Sequence, residues 1–494
     1  MSTDFVSAQR PQASSPPVAR RGARLQLSPG ERKALLFMVD LLLVNASLLI
    51  AVSAWNEFEP SLPNVWGNFK WFVTLSGVWL AAGLVLDLYN LVRAASATNI
   101  VASAGLAALL ASSAYVAIPW LTPPILTRRY VLGFVLLSTV AVCAWRALYA
   151  LALVRSAFHQ RALLLGMPSS VQGLVLELQR AARTKNAKPF RGSGYEIFGL
   201  VSPAADEGAS ELPALPHLGG VRDLAAVASR YGADEVIVAM QGPELASAEV
   251  HEALLDCREL DIRLSTLSEV YERLTARLPV AYSQFDVNMV LGPLDSPTHR
   301  MYGVAKRAMD LLLGLVGLAA MAAVIPGVAV ANALWSPGPL LYRQTRTGKG
   351  GRSFVIYKFR SMIVDAEKYS GVTWSEDDDP RITKVGRLLR KTRLDELPQF
   401  INVLRGEMSA VGPRPERPSI VGQLTRELPL YRARHAVKPG VSGWAQIRYR
   451  YGNSVEDARR KLEYDLYYVK HANLYLDLLI VLQTARVVLR LRGQ

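Results

Sequence analysis

KRAMDLLLGLVGLAAMAAVIPGVAVANALW, Lys306–Trp335, decides how this chain is laid out. From Leu311 to Val324 it is apolar without interruption, and Pro326-Gly327 then falls inside the run. A helix of this composition is long enough to cross a hydrocarbon core of roughly 30 Å. Proline, however, removes a helical hydrogen bond and crowds the preceding turn, and glycine loosens the backbone further. The stretch therefore predicts a helix over 306–335 broken at Pro326. It would enter one leaflet and return to the same face, with Lys306 and Arg307 anchored among lipid headgroups. A kinked straight span is the alternative. Charge favours the re-entrant course, because residues 339–494 are strongly basic and belong beside anionic cytoplasmic lipid.

Upstream, four apolar runs near 33–55, 69–89, 98–120 and 130–153 are each of membrane-crossing length and are separated by short polar loops. They predict a four-helix transmembrane unit over 31–155. Residues 1–30 carry Arg20, Arg21 and Arg24 among Pro, Ser, Gln and Ala, which predicts a disordered basic tail rather than a signal peptide. The tail arginines, Arg93, Arg155 and Arg161 favour one side, the cytoplasm, while Arg128 and Arg129 pull the other way. The expectation is a multi-pass protein of the bacterial inner membrane whose C-terminal domain lies on the cytoplasmic face.

The rest of the composition agrees. Of 494 residues, 51% are hydrophobic, and the formal net charge of +15 calls for an anionic partner: nucleic acid, lipid or a phosphorylated substrate. Four membrane spans argue against nucleic acid. Two distant cysteines and six scattered histidines give neither a disulfide framework nor a zinc site. Over 156–275 the strand-like runs RALLL, EIFGLVS, EVIVAM and DIRLSTL alternate with helical stretches, which predicts a Rossmann-like α/β middle domain. Its first turn, Gly166–Ser170, has one glycine where a dinucleotide fingerprint needs three, so a packing or regulatory module is favoured over a nucleotide site. Residues 276–300, with Pro279, Pro293 and Pro297, read as a linker.

Beyond the linker, PLLYRQTRTGKGGRSFVIYKFRSM (339–362) predicts a β-hairpin showing Arg343, Arg346, Lys358 and Arg360. RLLRKTRLDELPQF (387–400) then sets Asp395 and Glu396 behind Lys384, Arg387, Arg390, Lys391 and Arg393. Leu397, Phe400, Ile401 and Leu404 recur with helical spacing, so a helix is expected over about 396–405, starting at or just before Asp395 and stopping at Gly406. Asp395 as a helix cap with Glu396 as a first-turn acid explains this pattern as well as a phosphate site with its own nucleophile does. Downstream, SAVGPRPERP (409–418) stiffens Arg414 and Arg417 with prolines, which suits a phosphate clamp. HAVKPGVSGWAQIRYR (435–450) is a second rigid turn, with Lys438, Gln446, Arg448 and Arg450.

KFRSM, LDELPQFINVLRGEMSAVGPRP and KPGVSGWAQ resemble the signature blocks of bacterial sugar transferases, the monotopic polyprenyl-phosphate phosphoglycosyl transferases. The likeness covers 301–494, and the whole layout resembles the large subgroup that initiates exopolysaccharide, capsule or O-antigen units. It implies a catalytic α+β domain with a re-entrant membrane helix. It also implies transfer of hexose-1-phosphate from a UDP-hexose to undecaprenyl phosphate, with release of UMP and dependence on Mg²⁺. By the same resemblance Asp395 is the nucleophile, Glu396 a magnesium ligand, and Lys358, Arg390, Arg414 and Gln446 contact substrate phosphate, with Arg448 beside them. The expected partners are those two substrates and membrane lipid, and a homodimer is compatible with the layout. A membrane-anchored nucleotide-sugar dehydratase is a rival reading, but the glycine fingerprint it needs is absent at Gly166. A non-catalytic regulator of polysaccharide export is another, and it leaves the acid pair unexplained.

Overall fold

The computed structural model describes residues 29–54, 59–86, 88–89, 97–118, 120–123, 128–153, 160–167, 195–202, 215–240, 245–280, 297–364, 366, 379–428, 430–449 and 454–489. The basic tail up to residue 28, the helical stretch 169–184, most of the linker and Arg93 lie outside them. The chain divides into two compact units. One comprises Met1–Asp40, Asn90–Ala102 and Cys143–Val270, the other Leu41–Tyr89, Ser103–Val142 and Tyr271–Gln494.

Each expected N-terminal run coincides with a helix: α1 (Pro29–Ser53), α2 (Phe69–Val85), α3 (Ala97–Val116) and α4 (Arg128–Leu148). By length and composition, three helical stretches can cross a membrane: Gly30–Ser53, Arg129–Leu151 and Arg300–Trp335. Phe69–Val85 and Ile100–Val116 are apolar but shorter. The α2 helix stops early because the chain turns back beyond Leu86. Tyr89 then lies over Gly83, where a Cβ would sit 2.8 Å from its ring, and accepts a hydrogen bond from Trp79. Within the first unit, Arg146 of α4 donates through Nε to Asp40 of α1 at 3.1 Å, and both side chains are fully buried.

The first unit also holds a five-stranded, wholly parallel sheet of β1 (Gln160–Leu165), β2 (Tyr195–Val201), β3 (His217–Gly219), β4 (Glu235–Val238) and β5 (Arg263–Thr266), in the order β3-β2-β1-β4-β5. Strands covered on both faces carry continuous apolar runs instead of alternation. That is why LLL of β1 and VIV of β4 are buried throughout. Leu163, Leu165, Val236 and Val238 share one core with Val250, Ala253 and Cys257 of α5 (Ala248–Glu259).

The second unit carries α6 (Pro297–Trp335), the antiparallel hairpin β6 (Leu341–Thr347) and β7 (Ser353–Phe359), and α7 (Lys384–Thr392). It continues through α8 (Gln399–Arg405), the paired strands β8 (Ser409–Val411) and β9 (Gly440–Ser442), and the helices α9 (Trp444–Arg448), α10 (Val455–His471) and α11 (Leu474–Leu489). Two expectations for α6 need correction. The break at Pro326 is not a helix end, since the helix runs on through it to Trp335. Proline forfeits its own backbone bond, but Val324, Ile325 and Val328 on either side pack with Leu340 and Phe359 and hold the course.

Lys306 and Arg307 are not free for lipid headgroups. Lys306 Nζ lies 3.0 Å from buried Asp477 of α11 and donates to the Val411 carbonyl at 3.1 Å. Arg307 donates to the carbonyls of Val403 and Leu404 at 2.8 Å each, closing the C-terminal end of α8. Beside these ties, Gly314 and Gly317 of α6 let α8 come close. A Cβ at Gly317 would sit 2.2 Å from the Phe400 ring, and one at Gly314 2.7 Å from Leu404.

Candidate active site

The acid pair does not open a helix as its spacing suggested. Leu394–Glu396 forms a separate 3-10 turn, and α8 begins only at Gln399 after Pro398. The turn is entered through Arg393, whose backbone is left-handed at φ 60°. A non-glycine residue there costs roughly 1–2 kcal/mol, and it redirects the chain so that both acids point inward. Gly406 does end α8, with φ 80°. Asp395 is 8% and Glu396 7% exposed.

Three elements bring cations to Glu396. Arg414, from the proline-rich loop after β8, reaches Oε1 at 2.9 Å. Lys358 of β7 approaches the same oxygen at 3.5 Å, and Arg393 stands 3.5 Å from Oε2. Lys358 points inward because it follows buried Ile356 by two, on the same strand face. The other hairpin cations go elsewhere. Arg343 lies over the Tyr357 ring, Arg346 turns to Glu416, and Arg360 donates to Asn332 near the end of α6. On α7, Lys384, Arg387 and Lys391 are exposed, while Arg390 is half-buried and adds its charge to the field at Asp395. Of the residues expected to contact phosphate, Lys358, Arg390 and Arg414 are thus gathered around the acids. Gln446 and Arg448 lie on α9, where Arg448 stacks on Trp444 at 4.4 Å. Gln446 Oε1 is buried with no hydrogen-bond partner among the described residues.

The two carboxyls are driven apart in acidity. Burial, followed by the charge of Glu396, pushes Asp395 up to about 6. Burial also opposes ionisation of Glu396, but Arg414, Lys358 and Arg393 together hold it well below the usual carboxylate range. Burial brings Lys358 down to about 8, against the pull of Glu396. One fixed carboxylate therefore sits among cations beside a second whose ionisation falls near working pH, the pattern that separates roles in paired-acid sites.

Among the described residues no group of three or more His, Cys, Asp or Glu side chains could hold a metal alone. Magnesium commonly takes one or two carboxylates and fills its shell with water and substrate phosphate. The adjacent pair suits that mode, with one condition. Both Glu396 oxygens already face cations, so a metal would share or replace those contacts.

Several supports lay outside the sequence reading. Asn402, fully buried on α8, donates to the Val355 carbonyl and to Glu407 at 2.7 Å each. It also accepts from Tyr357 N at 3.3 Å, which ties α8 to the strand that carries Lys358. Asn402 lies off the stripe of Leu397, Phe400, Ile401 and Leu404, so its burial had no signal in the sequence. Arg434 and Asp465 had none beyond their charge.

Residues 301–491 match the bacterial sugar transferase family, and residues 85–265 match a family described as a CoA-binding domain. The UDP-N-acetylgalactosamine-undecaprenyl-phosphate N-acetylgalactosaminephosphotransferase of Aeromonas hydrophila is 42% identical over 267 residues, 54% of this chain and 60% of that protein. The UDP-glucose:undecaprenyl-phosphate glucose-1-phosphate transferase of Escherichia coli K12 is 43% identical over 192 residues, 38% of this chain and 41% of that protein. An exopolysaccharide production protein of Rhizobium leguminosarum bv. phaseoli is 44% identical over 186 residues, 37% of this chain and 93% of its own length. The matched part thus spans less than two thirds of the first two relatives.

Proposed function

The chain belongs to the bacterial sugar transferase family, and from that premise we propose that it moves a sugar-1-phosphate from a UDP-hexose to undecaprenyl phosphate, releasing UMP. The observation that carries this reading is the paired arrangement at 395–396: a buried Asp395 of raised pKa beside a Glu396 held by Arg414, Lys358 and Arg393. An Oδ of ionised Asp395 attacks the phosphorus that bears the sugar. The bond from that phosphorus to the bridging oxygen breaks, and UMP leaves with the electron pair. A phosphate oxygen of undecaprenyl phosphate then attacks the same phosphorus, the aspartyl–phosphorus bond breaks, and the carboxylate is restored. Two displacements allow the soluble donor to leave before the lipid acceptor engages.

The cations surround a phosphoryl centre whose negative oxygens would otherwise repel a carboxylate. Lys358, Arg390 and Arg414 are assigned to the diphosphate, and Gln446 and Arg448 are kept as the further phosphate contacts that the family resemblance implies. Glu396 would hold a magnesium ion, which when bound neutralises diphosphate charge and stabilises the leaving phosphate. Relatives named for glucose and for N-acetylgalactosamine support a UDP-linked hexose as the donor class. A first membrane step in exopolysaccharide, capsule or O-antigen assembly follows.

We place α6 on one face of the membrane. Near its start, Lys306 and Arg307 are bound to the acid-pair domain. In its middle, Met321 and Val328 pack with Phe359 and Leu389 of that domain. At its end, Asn332 meets Arg360. Its other side exposes Leu312, Leu315, Val316, Val330 and Trp335. A helix bonded along its length to one charged domain cannot leave that domain behind by crossing to the far side, which supports a course that stays in one leaflet with the catalytic domain in the cytoplasm. The middle sheet, whose order turns between β1 and β4, is read as a Rossmann-like packing or regulatory module.

In membranes containing Asp395→Asn, UMP release from UDP-sugar is expected to fall by at least about a thousandfold. The wild type, given donor without acceptor, should carry a sugar-phosphate mass on the peptide containing Asp395. Near-normal turnover by the variant, or label on another residue, would sink the assignment.

A further inference from the structure

The Arg414 guanidinium reaches Glu396 from a restrained loop, and two other arginines supply the restraint at Arg414 and Pro415 themselves. The backbone of Gly412–Glu416 is bonded at every residue. Gly412 N donates to the Ser442 carbonyl at 2.8 Å, and the Pro413 carbonyl accepts from Gly440 N at 2.9 Å. The Arg414 carbonyl accepts from Arg434 Nη2 at 3.0 Å. The Pro415 carbonyl accepts from Arg346 Nη1 at 3.1 Å, and the Glu416 carbonyl from Thr347 N at 2.9 Å. Arg434 is only 6% exposed. Its charge is met by Asp465 of α10 at 2.6 Å, and Tyr431 accepts a further bond at 2.8 Å. The sequence motif accounted for the stiffness by its prolines, yet prolines fix only φ. They do not fix where the loop stands relative to β7 and the acid turn.

We infer that Arg434, braced by Asp465, is a positioning residue for Arg414: it sets the distance from the Arg414 guanidinium to Glu396 and to substrate phosphate by holding the Arg414 carbonyl. Arg346 does the same one residue further on. Neither side chain touches Glu396; each acts through the loop backbone. A planar, five-donor guanidinium can bond a carbonyl, a carboxylate and a hydroxyl at once, whereas a lysine ammonium at the same place lacks that fork. The inference rests on the proposed reaction, in which Arg414 clamps the diphosphate.

The test compares Arg434→Lys, Arg414→Lys and the double variant in the full chain in membranes, measuring kcat and KM for the UDP-sugar by UMP release. Arg434→Lys is expected to raise KM and lower kcat/KM about tenfold to a hundredfold, as small misplacements of a clamp do. In the Arg414→Lys background it should cost no more than about twofold, since both changes spoil one contact. A KM unchanged from wild type, or losses that multiply in the double variant, would overturn the proposal. If Arg434→Lys does not accumulate, Arg346→Lys takes its place with the same expected non-additivity. Asp395→Asn is assayed alongside: an active Asp395→Asn rejects the reaction itself, whereas an inert one with multiplying Arg434 and Arg414 losses rejects only the positioning role.

Discussion

Two buried carboxylates in the same unit, Glu396 and Asp477, are handled in opposite ways. Asp477 is fully buried and bonded by Lys306 at 3.0 Å, Tyr302 at 2.9 Å and Tyr468 at 2.7 Å, with neutral hydroxyls doing most of the solvation. Glu396 faces three cations at 2.9–3.5 Å and has a second carboxyl next to it. The first arrangement closes a network between α6, α10 and α11 and leaves little charge to offer. The second gathers more positive charge than Glu396 alone needs. On the proposed reaction, burial alone does not mark a functional acid; the surplus of opposite charge around it does.

The sharpest way to break that distinction is to neutralise each acid. Glu396→Gln should lower kcat/KM by about a thousandfold, because a group acting in the transition state is lost. Its stability should move less than that of Asp477→Asn, since Asp395 remains beside the same cations, whose side chains are 19–27% exposed. Asp477→Asn should do the reverse. It strands Lys306, whose side chain is 13% exposed, at a cost of roughly 3 kcal/mol, while KM of the folded fraction stays put. Thermal unfolding and steady-state kinetics on both variants check this, and a similar loss of activity in both would erase the difference.

The same contrast sharpens with pH. Asp395, raised to about 6 by burial and then by Glu396, loses the carboxylate that the proposed reaction needs as pH falls through that value. Lys358, lowered to about 8 by burial, loses its charge as pH rises through that one. A plot of kcat/KM against pH should therefore be a bell with limbs near 6 and 8, each approaching tenfold per unit well outside them. Lys358→Arg should move the upper limb out of range and leave the lower one. The smallest effect is expected at Lys349, in the exposed turn between β6 and β7. Lys349→Ala should change rate by less than about twofold, and a larger loss would mean that charge anywhere on the hairpin serves the site.

Much of this was legible in the chain. Alternation gave the hairpin, buried apolar runs gave β1 and β4, and the acid pair among basic residues, with the proline loop after it, pointed to the candidate site. What could not be read was direction. Among the hairpin's arginines and lysine, sequence has no means of saying that Lys358 turns to Glu396 while Arg346 holds the Pro415 carbonyl. That depends on which strand face meets α8. The inward course of Arg307 depends likewise on α8 seating at Gly314 and Gly317. The left-handed Arg393 was unreadable for a different reason: a conformation unfavourable to its residue type is held by tertiary contacts and leaves no local signature.

The seating of α8 at Gly314 and Gly317 fixes more than packing. With the Phe400 and Leu404 side chains seated directly on those glycines, α8 has little freedom to slide along α6, and the acid turn that feeds it has little freedom to rise or sink. On the membrane course proposed here, α6 then acts as a depth gauge. The height of Asp395 above the lipid is set by a rigid helix contact, so a lipid phosphate meets its attacker at a level that does not depend on how thick the bilayer is.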